Sequence, residues 1–208
     1  MKDYKIAGLR VSIEFADNTV NETLLPNFAP FKYQGTDTPV LTAAIVNDYP
    51  WDQDAKEIGL FDVGGSNHGV SRNSDGGYLF NVYDTSEHLC ARMQSNPDFS
   101  KCHIKVYEGT SSQRNYGLNN CMMMAYAFAT ATMDTVLIHS SVIRCDGKGY
   151  LMTAPSGTGK STHTHLWYTT IPGCDLMNDD NPIIRIIDNK PFVFGSPWSG
   201  KTPCYRNI

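Results

Sequence analysis

Residues 154–161 read Ala-Pro-Ser-Gly-Thr-Gly-Lys-Ser, and this segment constrains the fold more than any other part of the chain. Glycines let the backbone curl so that successive N–H groups point at phosphate oxygens, while the lysine reaches the β/γ-phosphates and the hydroxyl ligates Mg²⁺. A short apolar run, 149–153, precedes the segment, and residues 162–167 can continue it as a helix whose N-terminus favours anions. The order of strand, loop and helix predicts a phosphate-binding loop.

A second segment, 195–202, has the same glycine and lysine spacing but reads Gly-Ser-Pro-Trp-Ser-Gly-Lys-Thr. Pro197 removes a backbone donor where the cradle needs one, and Trp198 places a bulky side chain inside it. Only residues 203–208 follow, too few for the helix that the motif requires. We predict that 195–202 is a mobile loop facing the site, with an ordinary surface turn as the alternative.

The composition is that of a globular protein, with 41% hydrophobic and 18% charged residues among 208. The net charge of -4 and the lack of a basic run predict no nucleic-acid partner and no membrane partner. The first ten residues have no apolar signal-peptide core. The six cysteines are widely and irregularly spaced, which argues against zinc and against a disulfide framework, and favours a reducing cytoplasm.

The chain divides by composition into two regions. Residues 1–112 are strand-rich, with alternating runs at 6–15, 39–46, 77–84, 89–93 and 102–108, whereas 113–208 contain the phosphate-loop segment. We predict a helix at 118–133, long but too polar for a membrane span, and then strands at 135–144, 150–153, 183–187 and 192–194. The fold class is α/β (α+β), with a strand-rich N-terminal half and a phosphate-loop core of mixed sheet.

Two adjacent carboxylates, Asp179 and Asp180, come before the apolar strand that begins near Pro182. One can hold Mg²⁺ and the other can accept a proton from an attacking hydroxyl, although an Asn/Asp-rich turn would have the same composition. If the strand after Pro182 lies beside strand 150–153, both carboxylates emerge at the phosphate loop. His139 lies in an apolar strand, where a histidine is usually a hydrogen-bonded core residue; beside the phosphates it would assist transfer.

Several features resemble, in order and spacing, the catalytic domain of HPr kinase/phosphorylase: His139, the turn 146–149, the strand 150–153, the loop 155–161 and the pair Asp179 and Asp180. The resemblance covers residues 135–185, roughly a quarter of the chain, and extends to the ATP-dependent phosphoenolpyruvate carboxykinases, which share the Ser-Gly-Thr-Gly-Lys loop. The E-[IV]-R-G-x-G segment of HPr kinases is not found in this sequence, and residues 1–112 match no known pattern. The chain ends at Ile208 without a closing helix, as a fragment or a shortened relative would.

The resemblance implies an ATP-dependent kinase with Mg²⁺ as cofactor. Asp179, His139 and Lys160 would be catalytic, and Ser161 and Asp180 would ligate the metal. The nucleotide would be bound by residues of the loop and the first helical turn: Ser156, Gly157, Thr158, Gly159, Lys160, Ser161 and Thr162. The phosphoryl acceptor would be a hydroxyl of serine type on a protein, peptide or small molecule. Assembly of the chain into a homo-oligomer is compatible with the sequence. The alternatives are a non-catalytic nucleotide-binding or sensor module and a carboxykinase-like transfer to a small oxo-acid.

Overall fold

The computed structural model describes residues 1–16, 20–62, 64–155, 157–200 and 202–208. It divides into two compact units. The first unit is made of 1–4, 10–26 and 34–129, and the second of 5–9, 27–33 and 130–208. Two short 3₁₀ helices, Glu22–Leu24 and Pro26–Phe31, lie in the N-terminal part of the chain.

An eight-stranded mixed sheet lies chiefly in the first unit. Its strands are β1 (Lys2–Ile6), β2 (Leu9–Phe15), β3 (Leu41–Ile45), β4 (Lys56–Asp62), β5 (Asn67–Arg72), β6 (Tyr78–Tyr83), β7 (Leu89–Ser95) and β8 (Lys101–Val106). The spatial order is β1-β2-β3-β8-β7-β6-β5-β4. Strands β2, β3 and β8 are parallel neighbours, whereas β4 to β8 form an antiparallel meander. The predicted strand-rich half is therefore confirmed as one large mixed sheet.

The helix α1 (Ser111–Thr130) buries one face in the first unit. Its fully buried side chains recur every three or four positions: Leu118, Cys121, Met122, Ala125 and Tyr126. Gly117 permits a close approach to β7, because an added Cβ would lie 2.8 Å from the carbonyl carbon of Cys90. The predicted helix at 118–133 is thus confirmed, beginning earlier and ending earlier. Among the described residues, no helix has the length and apolar character needed to cross a membrane.

Among its described residues, the second unit contains two three-stranded sheets and one α-helix. Their elements are β9 (Thr135–Leu137), β10 (Ser141–Cys145), β11 (Lys148–Met152), α2 (Lys160–Thr170), β12 (Asp175–Asn178), β13 (Ile183–Ile187) and β14 (Lys190–Phe194). One sheet has the order β11-β10-β12 and the other β14-β13-β9, and every pairing in them is antiparallel. The predicted single strand at 135–144 is two strands, β9 and β10, which belong to different sheets.

The core of the second unit brings residues 27–31 against the segment that follows β14. The ring of Phe28 meets the ring of Trp198 edge to face, with centroids 5.9 Å apart. Asn27 Nδ2 donates to the carbonyl oxygen of Pro197 at 2.8 Å. The side chains of Asn27, Phe28 and Trp198 are buried. Residues 195–198 are therefore part of a hydrophobic core.

A disulfide joins Cys145 to Cys174, whereas Cys90, Cys102, Cys121 and Cys204 are free and buried. The cysteine spacing did not predict this bond. Its cause is the β10–β12 pairing, which sets Arg144 opposite Asp175 and so brings positions 145 and 174 together. The sequence argued against a disulfide framework and for a reducing cytoplasm; the structure has this single disulfide, and the cytoplasmic location stays a prediction.

Candidate functional site

The glycine-rich segment joins β11 to α2, the strand–loop–helix arrangement that its sequence predicts. Gly157 and Gly159 have φ angles of 82° and 97°, in the left-handed region that favours glycine. Gly159 is the N-cap of α2 without a side-chain cap, so the first N–H groups of the helix are offered to the space in front of it. Ser156 lies outside the described residues.

A cavity of about 480 Å³ lies in front of this helix. It is lined by His139, Ser141, Pro155, Gly157, Gly159, Lys160, Ser161, Thr162, Asp179, Asp180 and Gly200. The predicted catalytic and metal-binding residues thus surround one cavity, with most of the predicted nucleotide-binding residues. Thr158 is not among the lining side chains; its hydroxyl donates to the carbonyl oxygen of Pro155 at 2.8 Å.

Lys160 is the first residue of α2 and lies on the cavity wall. Its Nζ donates to the carbonyl oxygen of Ala154 at 2.5 Å, so the ammonium group folds back over the loop. It carries a positive charge at the end of the helix where the backbone dipole is also positive. This end of the cavity therefore attracts anions.

The two carboxylates lie across the cavity and directly follow β12, a strand that the sequence did not predict. Asp179 is only 9% exposed, and both of its carboxylate oxygens are bonded. Oδ1 accepts a hydrogen bond from Ser141 Oγ at 2.6 Å, and Oδ2 accepts one from the backbone N–H of Thr202 at 3.3 Å. The Asp179 carboxylate is held from two sides, by β10 and by the segment after β14.

Asp180 is the more exposed of the pair, and its Oδ1 lies 3.7 Å from His139 Nδ1. Burial raises the pKa of Asp180 above its ordinary value, and the negative charge of Asp179 adds to this. His139, when it carries a proton, and the Lys160 ammonium work in the opposite direction. The site therefore combines two carboxylates that repel each other with cationic groups that offset part of the repulsion.

The sheet assignment behind the predicted carboxylate site was wrong. The strand after Pro182 is β13, which pairs with β9 and β14 and not with the strand that enters the loop. Instead β10 pairs with β11 on one side and β12 on the other, so the carboxylates reach the loop through a shared neighbour. His139 lies between β9 and β10 and is exposed, not a core histidine within a strand.

Residues 195–198, the first part of the second glycine and lysine segment, are anchored to Asn178 and Asn181, which flank the acidic pair. Asn178 is fully buried; its Nδ2 donates to Ser196 Oγ at 3.1 Å, and its Oδ1 accepts the N–H of Asp180 at 2.9 Å. Gly200 lines the cavity, and a Cβ there would lie 3.0 Å from the carbonyl oxygen of Asp179. Because the segment is buried as far as Trp198, the expectation of a mobile loop is corrected for this part. Lys201 lies outside the described residues.

Two arginines of the second unit, Arg185 and Arg206, are engaged away from the cavity. Arg185 donates to Thr135 Oγ1 at 3.2 Å and to the carbonyl oxygen of Ala7 at 2.6 Å. Arg206 pairs with Asp175 at 2.5 Å, and neither arginine lines the cavity. Among the described lining residues, Lys160 is therefore the one lysine or arginine.

Sequence reasoning missed Ser141 and Asn178. Both are buried polar residues in strands. The partner of Ser141 becomes visible only when β10 and β12 are paired, and the partner of Asn178 only when the segment after β14 is placed. A hint for Asn178 was its place directly before the acidic pair; for Ser141 no sequence signal stands out.

Within the described ranges, no cluster of three or more His, Cys, Asp or Glu side chains has the arrangement of a metal site. No protein-family model matches the chain. No curated protein matches its sequence either.

Proposed function

We propose that the chain is an ATP-dependent kinase of the HPr-kinase-like type, with a phosphate-loop kinase core in its second unit. The observation that carries the proposal is the single cavity with a glycine-rich helix N-terminus and Lys160 on one wall and Asp179 and Asp180 on another. The first wall suits the phosphates of a nucleotide. The second supplies a proton acceptor and a metal ligand, the parts that phosphoryl transfer needs.

The donor set fits Mg²⁺, a hard cation that prefers oxygen ligands and usually takes one or two carboxylates together with phosphates. Ser161 and Asp180 offer a hydroxyl and a half-buried carboxylate on the same cavity. They are the residues that would hold the ion, and bound Mg²⁺ would neutralise charge on the phosphates.

The chemical step follows from the residues of the cavity. The acceptor hydroxyl oxygen forms the new bond to the γ-phosphorus, the bond to the β,γ-bridging oxygen breaks, and the hydroxyl proton passes to Asp179. A carboxylate has about four lone-pair sites, so Asp179 keeps acceptor capacity beside its bonds from Ser141 and Thr202. Lys160 offsets the negative charge of the phosphates. His139 offsets the negative charge of the neighbouring Asp180 carboxylate.

The test is turnover of ATP with and without Mg²⁺, against serine peptides, small alcohols and a small oxo-acid as candidate acceptors. Asp179→Asn should lower kcat by about 10²–10⁴-fold while ATP binding, measured by calorimetry, is retained. Asp180→Asn should mainly weaken the Mg²⁺ dependence. Asp188→Asn is the matched control, because Asp188 is an exposed turn residue with φ of 50°, where asparagine is equally suitable.

Each failure has its own meaning. ATP binding by the wild-type protein without turnover would replace the kinase with a nucleotide-binding or sensor module. Turnover with the oxo-acid alone would favour the carboxykinase-like reaction. Turnover by Asp179→Asn at the rate of Asp188→Asn would remove Asp179 from the chemistry.

A further inference from the structure

Ser141 stands at the start of β10, the strand that links the two walls of the cavity. On one side its register partner is Met152, the last residue of β11 before the glycine-rich segment. On the other side β10 pairs with β12, the strand that leads into the acidic residues. The backbone of residue 141 is thus fixed by the strand that enters the loop, while its side chain meets Asp179.

The contact between Ser141 and Asp179 is short and buried. Ser141 is 1% exposed, and its Oγ lies 2.6 Å from Asp179 Oδ1. A hydroxyl donating to a carboxylate forms a charge-assisted hydrogen bond, which is stronger and more directional than one between neutral groups. Because both groups are buried, water screens this bond little, and the bond restricts the orientation of the carboxylate.

Among the described residues, the Asp179 carboxylate accepts one other hydrogen bond, from the backbone N–H of Thr202, at the longer distance of 3.3 Å. The two donors engage different oxygens, so together they set the orientation of the carboxylate in the cavity. Of these two, only the donor of Ser141 belongs to a side chain and is removable by substitution.

We infer that Ser141 is a positioning residue for Asp179: its hydroxyl holds the carboxylate at the cavity in the orientation that receives the acceptor proton. The inference rests on the proposed kinase function. Ser141 then acts through Asp179, to which its hydroxyl is bonded, so its removal should affect the transfer step far more than the binding of ATP.

The neighbouring residue provides a matched control. Ser140 is as buried as Ser141, at 1% exposed, but its Oγ has no hydrogen-bond partner in the part of the chain that the structure describes. Substitution of either serine by alanine removes one buried hydroxyl, and the two positions are adjacent in the chain. Only Ser141→Ala removes a bond to Asp179.

The experiment measures kcat and KM for MgATP in Ser141→Ala, Ser141→Thr and Ser140→Ala, with thermal unfolding of each. We expect Ser141→Ala to lose about 10- to 100-fold in kcat with KM within twofold, because misplacement of a reacting group affects the chemical step. Ser141→Thr keeps the hydroxyl and should recover most of kcat. Ser140→Ala should equal the wild type.

Equal kcat values for Ser141→Ala and Ser140→Ala would overturn the inference while the kinase function stands. A rise in KM that accounts for the whole loss would also overturn it, because Ser141 would then serve binding. If instead the wild-type protein turns over no acceptor, the proposed function fails first and the inference fails with it. The three results are therefore distinguishable.

Discussion

Residues 154–161 and 195–202 share one glycine and lysine spacing, but the structure uses the two segments differently. The first opens a helix: Gly157 and Gly159 have positive φ angles, and the side of the chain they expose faces a cavity. The second opens no helix and is buried as far as Trp198. A sequence pattern for a phosphate loop therefore acquires its meaning from the elements on either side of it.

The contacts of the two segments differ in the same way. In the first, Lys160 and Thr158 bond to the backbone of the segment itself, so its outward surface is left for a ligand. In the second, Ser196 bonds to Asn178 and Asn181, and the N–H of Thr202 bonds to Asp179. The first segment forms a binding wall, whereas the second supports the carboxylates opposite.

The largest effect that would test this comparison is on nucleotide binding. Lys160→Ala should weaken MgATP binding by about 2–5 kcal/mol, because a charge-assisted contact is lost in a partly desolvated site. Lys201→Ala, at the equivalent position of the second segment, should lower turnover and leave the affinity nearly unchanged. Isothermal titration calorimetry on both variants gives the two affinities.

Equal loss of affinity in both lysine variants would break the comparison, because both segments would then contact phosphate. Lys148→Ala is a suitable control, since Lys148 is the first residue of β11, the strand that precedes the loop, and does not line the cavity. Its affinity for MgATP should match the wild type.

The second effect concerns covalent closure. The disulfide joins Cys145 and Cys174 across 29 residues and encloses β11, the first segment and α2, whereas 195–202 lie outside this loop. Loss of the bond in Cys145→Ser should lower the free energy of unfolding by about 3.5 kcal/mol on the chain-entropy estimate. Denaturant unfolding with and without a dithiol measures it.

Local hydrogen exchange adds the contrast between the two segments. In Cys145→Ser, amides of α2 should exchange faster, while those of 195–198 stay protected by their core contacts. Cys204→Ser is the control, because Cys204 is a free, buried thiol of the same unit. If exchange became faster to the same degree in α2 and in 195–198, the two would open in one cooperative step, and the contrast between them would be lost.

Local patterns predicted the parts of the site that depend on neighbouring residues. The order of strand, loop and helix around 154–161 was predicted, with a strand at 150–153 and a helix at 162–167, because glycine conformation and helix initiation are decided within a few positions. The turns of the β10–β11 and β13–β14 hairpins, at Asp146 and Asp188, likewise depend on neighbouring residues. The roles of Asp179 and Asp180 stay predictions, although the structure brings both to the predicted loop.

What failed depends on long-range pairing. Strand β12 is four residues long and carries Asp175 and Asn178, so its pattern does not distinguish it from a turn. Its partner β10 lies about thirty residues away, and from that pairing follow both the disulfide and the Ser141 contact. The hairpin of β4 and β5 was missed because β4 is exposed on both faces and has no alternation to detect. The predicted division at residue 112 stays a prediction; α1 groups with the first unit as far as Ala129.

The smallest expected effects come from one glycine in each segment. Gly195→Ala would place a Cβ 2.1 Å from the carbonyl oxygen of Arg206, so the backbone must shift, and we expect a loss of about 1–3 kcal/mol in unfolding free energy. Gly157→Ala meets nothing within 4 Å, and its cost is the left-handed backbone at φ of 82°, about 1–2 kcal/mol. Thermal unfolding and MgATP calorimetry separate the two.

For each variant, the loss of unfolding free energy is compared with the loss of MgATP affinity. Gly195→Ala should lose stability and bind MgATP normally once folded, because Gly195 is buried and does not line the cavity. Gly157→Ala should lose less stability but bind more weakly, because its new methyl group stands at the cavity wall and its strained backbone no longer holds the N–H groups in place. Weaker binding in Gly195→Ala at full stability, with Gly157→Ala unaffected, would reverse the roles of the two segments and place the nucleotide at 195–202.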